Sequence, residues 1–197
     1  MNTRIAELVG KVRELEGEIE QEVLRRQADF KYRIEKGRAL FEDEILQRHR
    51  QYKVALVRYI ADAPVMVILT APFIYSLIIP FILLDLFVSI YQAVCFPVYG
   101  IPKVKRDDFF VFDREHLAYL NALEKLNCAY CSYGNGLIAY VGEIASLTEQ
   151  YWCPIKHARR RAGAHHRNNE FAEFGDAEAF RADIEPSRVR LREGLKE

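Results

Sequence analysis

Two short stretches of the chain carry residues that could do chemistry: NCAYC at 127–131 and CPIKH at 153–157. Cys128 and Cys131 stand three apart and Cys153 and His157 four apart, in the pattern Cys-x2-Cys-x21-Cys-x3-His. Zinc takes four thiolate or imidazole ligands in a tetrahedron, and a Cys-x2-Cys step lets two thiolates from one turn point at a common centre. The expected ligand set is therefore Cys128, Cys131, Cys153 and His157, with zinc in a structural role because four protein ligands close the shell. Other chemistries stay open. An iron-sulfur cluster would need a fourth cysteine, and the one available, Cys95, lies inside an apolar block. If His157 pointed away, three cysteines would leave zinc an open position, with Glu149 one turn before Cys153 as base or hydrogen-bond acceptor. Free core thiols or a redox pair complete the alternatives. Glu143 and Glu149 are six apart, off a common helix face, so a paired-acid site is not expected. The residues name no reaction, and no catalytic residue is assigned.

The elements that must position these ligands read as helices. Asp113 can cap a short amphipathic helix carrying Leu117, Leu120, Leu123 and Leu126, ending near Asn127. Gly134, Asn135 and Gly136 then break the chain before a second helix with Leu137, Tyr140, Val141, Ile144 and Leu147 on one face. Pro154 suits the first turn of a third, with Cys153 at its cap. The segment between Cys131 and Cys153 must bend for the ligands to meet.

Residues 63–102 contain one charge, Asp85, and are too apolar for a soluble domain of this size to bury. A bilayer core of about 30 Å takes roughly 20 residues of helix, so the block is about two spans long. A hairpin, fully spanning or re-entrant, places Asp85 near the far turn. A single span over residues 64–84 with 86–102 along the interface is the alternative. Arg48, Arg50, Lys53 and Arg58 before the block match Lys103, Lys105, Arg106 and Arg114 after it, which favours the hairpin with both ends cytoplasmic.

Residues 1–60 read as one long amphipathic helix. Val12, Val23, Ile34, Ile45 and Leu56 recur every eleven residues, as do Ile19, Phe30, Phe41 and Tyr52. The stripe would serve self-association, a partner, or packing on the chain's own head. The polar start lacks the apolar core of a signal peptide, which leaves membrane targeting to the block at 63–102. Arg159, Arg160, Arg161, His165, His166 and Arg167 make a basic stretch suited to lipid head groups. Twenty-eight basic and 28 acidic residues cancel over the chain, which argues against a nucleic-acid partner. Residues 162–197 form a charged tail, with Phe171, Phe174 and Phe180 docking a helix before Pro186.

The run LNCAYCSYGNGLIAYVGEIASLTEQYWCPIKHARR, with FGDAEAFR at 174–181, resembles a set of uncharacterised bacterial membrane proteins sharing an NCxYC…YWCPIKHA signature, over roughly residues 50–185. The resemblance implies that the signature and the membrane block belong together in a bacterial inner membrane, and it brings no activity. The expected architecture is all-α: a long N-terminal helix (1–60), a membrane hairpin (63–102), a metal-stabilised helical head (107–161) and a charged tail (162–197). The expected role is a membrane-anchored interaction or scaffold protein facing the cytoplasm, with a redox or metalloenzyme component as the alternative.

Overall fold

The computed structural model describes residues 3–29, 32–35, 38–159 and 161–193. The elements in chain order are α1 (Thr3–Asp29), β1 (Tyr32–Glu35), β2 (Arg38–Phe41), α2 (Asp43–Gln51), α3 (Leu56–Ala61), α4 (Val65–Ser76), α5 (Ile78–Tyr99), α6 (Ala122–Trp152) and α7 (Ala177–Glu193). The chain is mostly helical, as expected, and divides into two units. The first comprises residues 1–68 and 112–129, the second 69–111 and 130–197.

In the first unit the single long N-terminal helix is not found. Helix α1 ends at Asp29, and an antiparallel hairpin follows with Tyr32 opposite Phe41 and Glu35 opposite Arg38. The sequence explains the switch: Tyr-Arg-Ile-Glu alternates apolar and polar residues with the strand period of two, and aromatic and β-branched residues favour extended backbone. The eleven-residue series thus runs through several elements, and Phe30 lies outside the described residues. Every described side chain of α1 is exposed, including Leu8, Val12, Leu15, Ile19 and Val23 at 49–63 %. The start of α6 is fixed not by Asp113 but by Asn121, whose Oδ1 accepts the backbone N–H groups of Leu123 (3.0 Å) and Glu124 (3.1 Å). Glu124 accepts the N–H of Asn121 in return (2.8 Å), a reciprocal box that satisfies three donors at a helix start.

The apolar block does not reverse. Leu77, between α4 and α5, keeps helical dihedrals (φ −63, ψ −15), and its carbonyl accepts the N–H of Phe81 at 3.2 Å, so Val65–Tyr99 runs as one 35-residue helix. The interruption at Leu77 lies three residues before Pro80, which has no N–H to offer the carbonyl of Ser76. The helix ends at Gly100, whose positive φ of 67 lets the N–H of Ile101 return to the Phe96 carbonyl at 2.9 Å. Asp85 therefore lies on a helix, away from any turn.

In the second unit α5 and α6 lie side by side and parallel, as successive contacts show: Tyr130 with Ile74, Tyr133 with Asp85, Tyr140 with Gln92, Tyr151 with Tyr99. Helix α6 passes through Gly134-Asn135-Gly136 without a break. The glycines serve packing. A Cβ on Gly136 would lie 2.6 Å from the carbonyl oxygen of Phe109, and one on Gly134 would lie 3.0 Å from the Phe81 ring. Phe96, Ile101, Leu137, Tyr140, Ile144, Leu147 and Leu191 form the core.

Helix α7 also continues through Pro186, before which the helix was expected to end. Its Ser187 and Leu191 are buried, and Arg188 Nε donates to the Tyr151 carbonyl (3.0 Å) at the end of α6. That guanidinium also lies 4.6 Å from the Tyr151 ring centroid. A cation on the last carbonyls of α6 satisfies orphan acceptors and complements the helix dipole, so tertiary contacts override the proline. Of the three aromatics expected to dock the tail, Phe171 is buried, Phe180 half-buried and Phe174 exposed.

Candidate functional site

The only charge in the apolar block, Asp85, is the centre of a polar cluster in the second unit. A carboxylate on an apolar helix is costly without a partner. The chain supplies one by returning residues 100–111 along α5, which brings Arg106 onto Asp85. Arg106 Nη1 and Nη2 donate to the two carboxylate oxygens, the second at 2.9 Å. Tyr133 Oη donates to Oδ2 at 3.0 Å and Ser89 Oγ to Oδ1 at 3.3 Å. The guanidinium also stacks over Phe110 (4.3 Å) and Tyr140 (5.3 Å).

Hydrogen bonding to Asp85 holds the Arg106 pKa above its ordinary value, so the cation is permanent. Burial, and then the bond to Asp85, raises the Tyr133 hydroxyl above its ordinary pKa, so it stays a donor. With four donors on it, the carboxylate has no lone pair directed at a substrate. It acts as a clamp, not a base.

About two helix turns further along, Gln92 repeats the device with a neutral amide. Its Oε1 accepts the Val104 N–H (2.7 Å), and its Nε2 donates to Tyr140 Oη (2.8 Å) and weakly to the Val104 carbonyl (3.4 Å). Buried Gln92 thereby supplies the missing strand neighbour for a loop. Together Asp85 and Gln92 tie residues 104–106 to α5.

A second row of polar contacts, one of them an ion pair, fastens residues 157–167 to α6. Arg167 Nη2 lies 2.6 Å from Glu143, and its Nη1 donates to Ser146 Oγ (2.8 Å). His165 Nε2 lies 2.9 Å from Glu149, and His157 Nε2 is 4.0 Å from the same carboxylate. His165, counted in the expected basic stretch, is mostly covered and packs edge-on against Phe171 at 5.5 Å. Arg160, part of the expected basic stretch, lies outside the described residues.

The four expected metal ligands are placed apart. Cys131 and Cys153 are 22 residues apart along and just past α6, about 33 Å at 1.5 Å per residue. Cys128 lies one turn before Cys131 on the same helix, and His157 lies beyond Cys153 next to Glu149. One ion cannot reach ligands at both ends of an unbroken helix, because zinc bonds are only about 2.0–2.3 Å long. The physical reason is the pair of glycines, which were read as a break and instead admit Phe81 and the backbone of Phe109 to the surface of an unbroken helix. All four cysteines are unpaired thiols, and among the described residues no three metal-ligating side chains converge.

Comparison of the chain with family models, curated proteins and solved structures finds no match.

The clamp was missed in the sequence because Arg106 was counted only as a flanking charge. The signal was present: a lone carboxylate in a 40-residue block that is otherwise uncharged demands a cation, and the nearest on its C-terminal side are Lys103, Lys105 and Arg106.

Proposed function

We propose that the chain is a membrane-anchored interaction protein in which α4–α5 is the anchor, the clamped second unit is a head built on it, and α1 presents a surface for a partner or a second copy. The observation that carries this reading is the exposure of the apolar helix. Along Val65–Tyr99, with mean hydropathy 2.4 over its most apolar window, Val65, Met66, Phe73, Ile79, Phe87, Val94 and Val98 are 60–78 % exposed. Soluble proteins do not leave so long an apolar surface in water. Moving a dozen half-exposed side chains of this size into lipid stabilises attachment by on the order of 10 kcal/mol.

The head is stabilised by packing and ion pairs on α5 and α6, and the reading includes no catalytic step and no shared four-ligand metal. The exposed Leu8, Val12, Leu15, Ile19 and Val23 stripe on α1 supports the interaction half of the proposal. The test is flotation of purified protein with phosphatidylcholine vesicles. The parent is expected to float and a Phe73→Asp/Ile90→Asp variant to stay at the bottom. A parent that remains with the soluble fraction would remove the anchor.

A further inference from the structure

We propose that α4–α5 lies in the plane of one leaflet of an anionic membrane, with its outer apolar stripe among acyl chains and the cations around residues 103–105 on lipid phosphates. The inference rests on the anchoring reading above and specifies how the anchor sits and which lipid it meets. Length is the first argument. A helix of 35 residues is about 52 Å long, against a hydrocarbon core of about 30 Å. Fitting it across would need a tilt of about 55°, outside the 0–40° range of spanning helices.

The second argument is one-sidedness. From Ile74 to Tyr99 one side of the helix carries protein and polar bonds: the Tyr130 hydroxyl on the Ile74 carbonyl (2.6 Å), the Asp85–Arg106 pair, Gln92 with Tyr140, and Tyr91 with Thr148 (3.1 Å). Arg106, Asp107 and Asp108 on that side remain exposed. A crossing helix would carry these charges into hydrocarbon. The opposite side shows Leu83, Phe87, Ile90, Val94 and Val98, at 50–78 % exposure, as an unbroken stripe at helical spacing. Trp152 at the end of α6 is 51 % exposed beside an apolar groove of about 390 Å³ between α5 and α6. The helix itself is apolar on every side, but α6 and residues 104–106 docked along it from Ile74 onward leave one apolar face on a body whose other side is polar. Such an arrangement lies in the interface with that face buried about 5–10 Å.

Charge selects the lipid. Directly beyond the Gly100 cap opens a cavity of about 380 Å³ lined by Lys103, Lys105, Arg167 and Arg190 against Asp108 and Glu143. Arg167 is held by Glu143 and Arg190 by Asp183, whereas Lys103 and Lys105 are in no ion pair among the described residues. An excess of cations at the end of an apolar stripe is complementary to phosphate at the edge of an acyl layer.

The experiment places an environment-sensitive probe on Ile79→Cys, Phe87→Cys, Val94→Cys or Val98→Cys, each in full-length protein whose native cysteines are serine. Quenching is read with lipids brominated at shallow and deep acyl positions. Expected is quenching at all four positions by the shallow bromines, with a probe on Asp107→Cys unquenched. A depth that changes steadily from 79 to 98, about 28 Å along the axis, would overturn the in-plane placement and leave anchoring intact. Absence of quenching everywhere would overturn the anchoring reading as well.

In parallel, Lys103→Gln/Lys105→Gln is expected to bind phosphatidylglycerol-containing vesicles about 30-fold more weakly, about fivefold per lysine, with binding to pure phosphatidylcholine unchanged. Equal loss on both vesicle types, or no loss on either, would overturn the head-group assignment.

Discussion

Replacing Arg106 by methionine removes both guanidinium bonds from Asp85 while keeping an apolar stem over Phe110 and Tyr140. The carboxylate, only 15 % exposed, would retain Tyr133 and Ser89 alone. Breaking a buried ion pair by removing one partner costs about 3–5 kcal/mol. Because the Arg106 side chain is 43 % exposed, solvent screens the pair, and we take about 2 kcal/mol as the expected loss. For a chain of this size that lowers Tm by about 4–8 °C. The assay is thermal unfolding in detergent micelles followed by the fluorescence of Trp152, the one tryptophan, which packs against Tyr99 at 5.3 Å. Asp85→Leu/Arg106→Met should recover most of the loss, since a well-packed apolar pair can replace a buried ionic one. A single variant as stable as the parent, or a double variant worse than the single, would refute the clamp.

Three further outcomes follow from the packing and electrostatics. Gly136→Ala should destabilise the second unit by about 1–3 kcal/mol in chemical unfolding, because its Cβ would meet the Phe109 carbonyl, whereas Gly142→Ala, with nothing within 4 Å, should stabilise it by up to about 1 kcal/mol. Spin labels on Cys131 and Cys153, with Cys95 and Cys128 replaced by serine, should report a separation of about 33 Å by pulsed electron resonance, and a distance under about 15 Å would restore the shared metal site. Burial, then Arg167, lowers the His166 pKa below its ordinary 6.5, against the pull of Glu143. The unfolded chain therefore takes up a proton first, so this contribution to stability is complete above pH 6.5 and lost as pH falls through it. His166→Gln should show a shallower decline of Tm below that pH than the parent.

The helical class and the long apolar segment were legible because they depend on composition over long windows, which tertiary context seldom reverses. Boundaries were not. The glycines at 134 and 136 carry the same symbol whether they break a helix or admit a neighbour to its surface, and only the position of Phe81 and Phe109 distinguishes the two. Asn121-Ala-Leu-Glu124 is a local capping signal that could have been read and was passed over for Asp113. The metal set turns on distance: spacing in sequence gives ligand types, but the path of residues 132–152, helical here, decides whether they meet. The same holds for Asp85, whose partner lies 21 residues on and reaches it only because the chain folds back after Gly100. The hairpin at 32–41 was hidden under an eleven-residue series that also fits a helix, although the alternation from Tyr32 to Glu35 argued for strand.

The most direct test of the account is extraction of membranes from cells making the full-length chain. If Val65–Tyr99 lies in lipid, the protein stays in the membrane pellet through alkaline carbonate and high salt and is released by detergent. Release by carbonate alone would mean that the exposed apolar helix is covered by protein and not by lipid, and would contradict the anchor on which the proposed function stands.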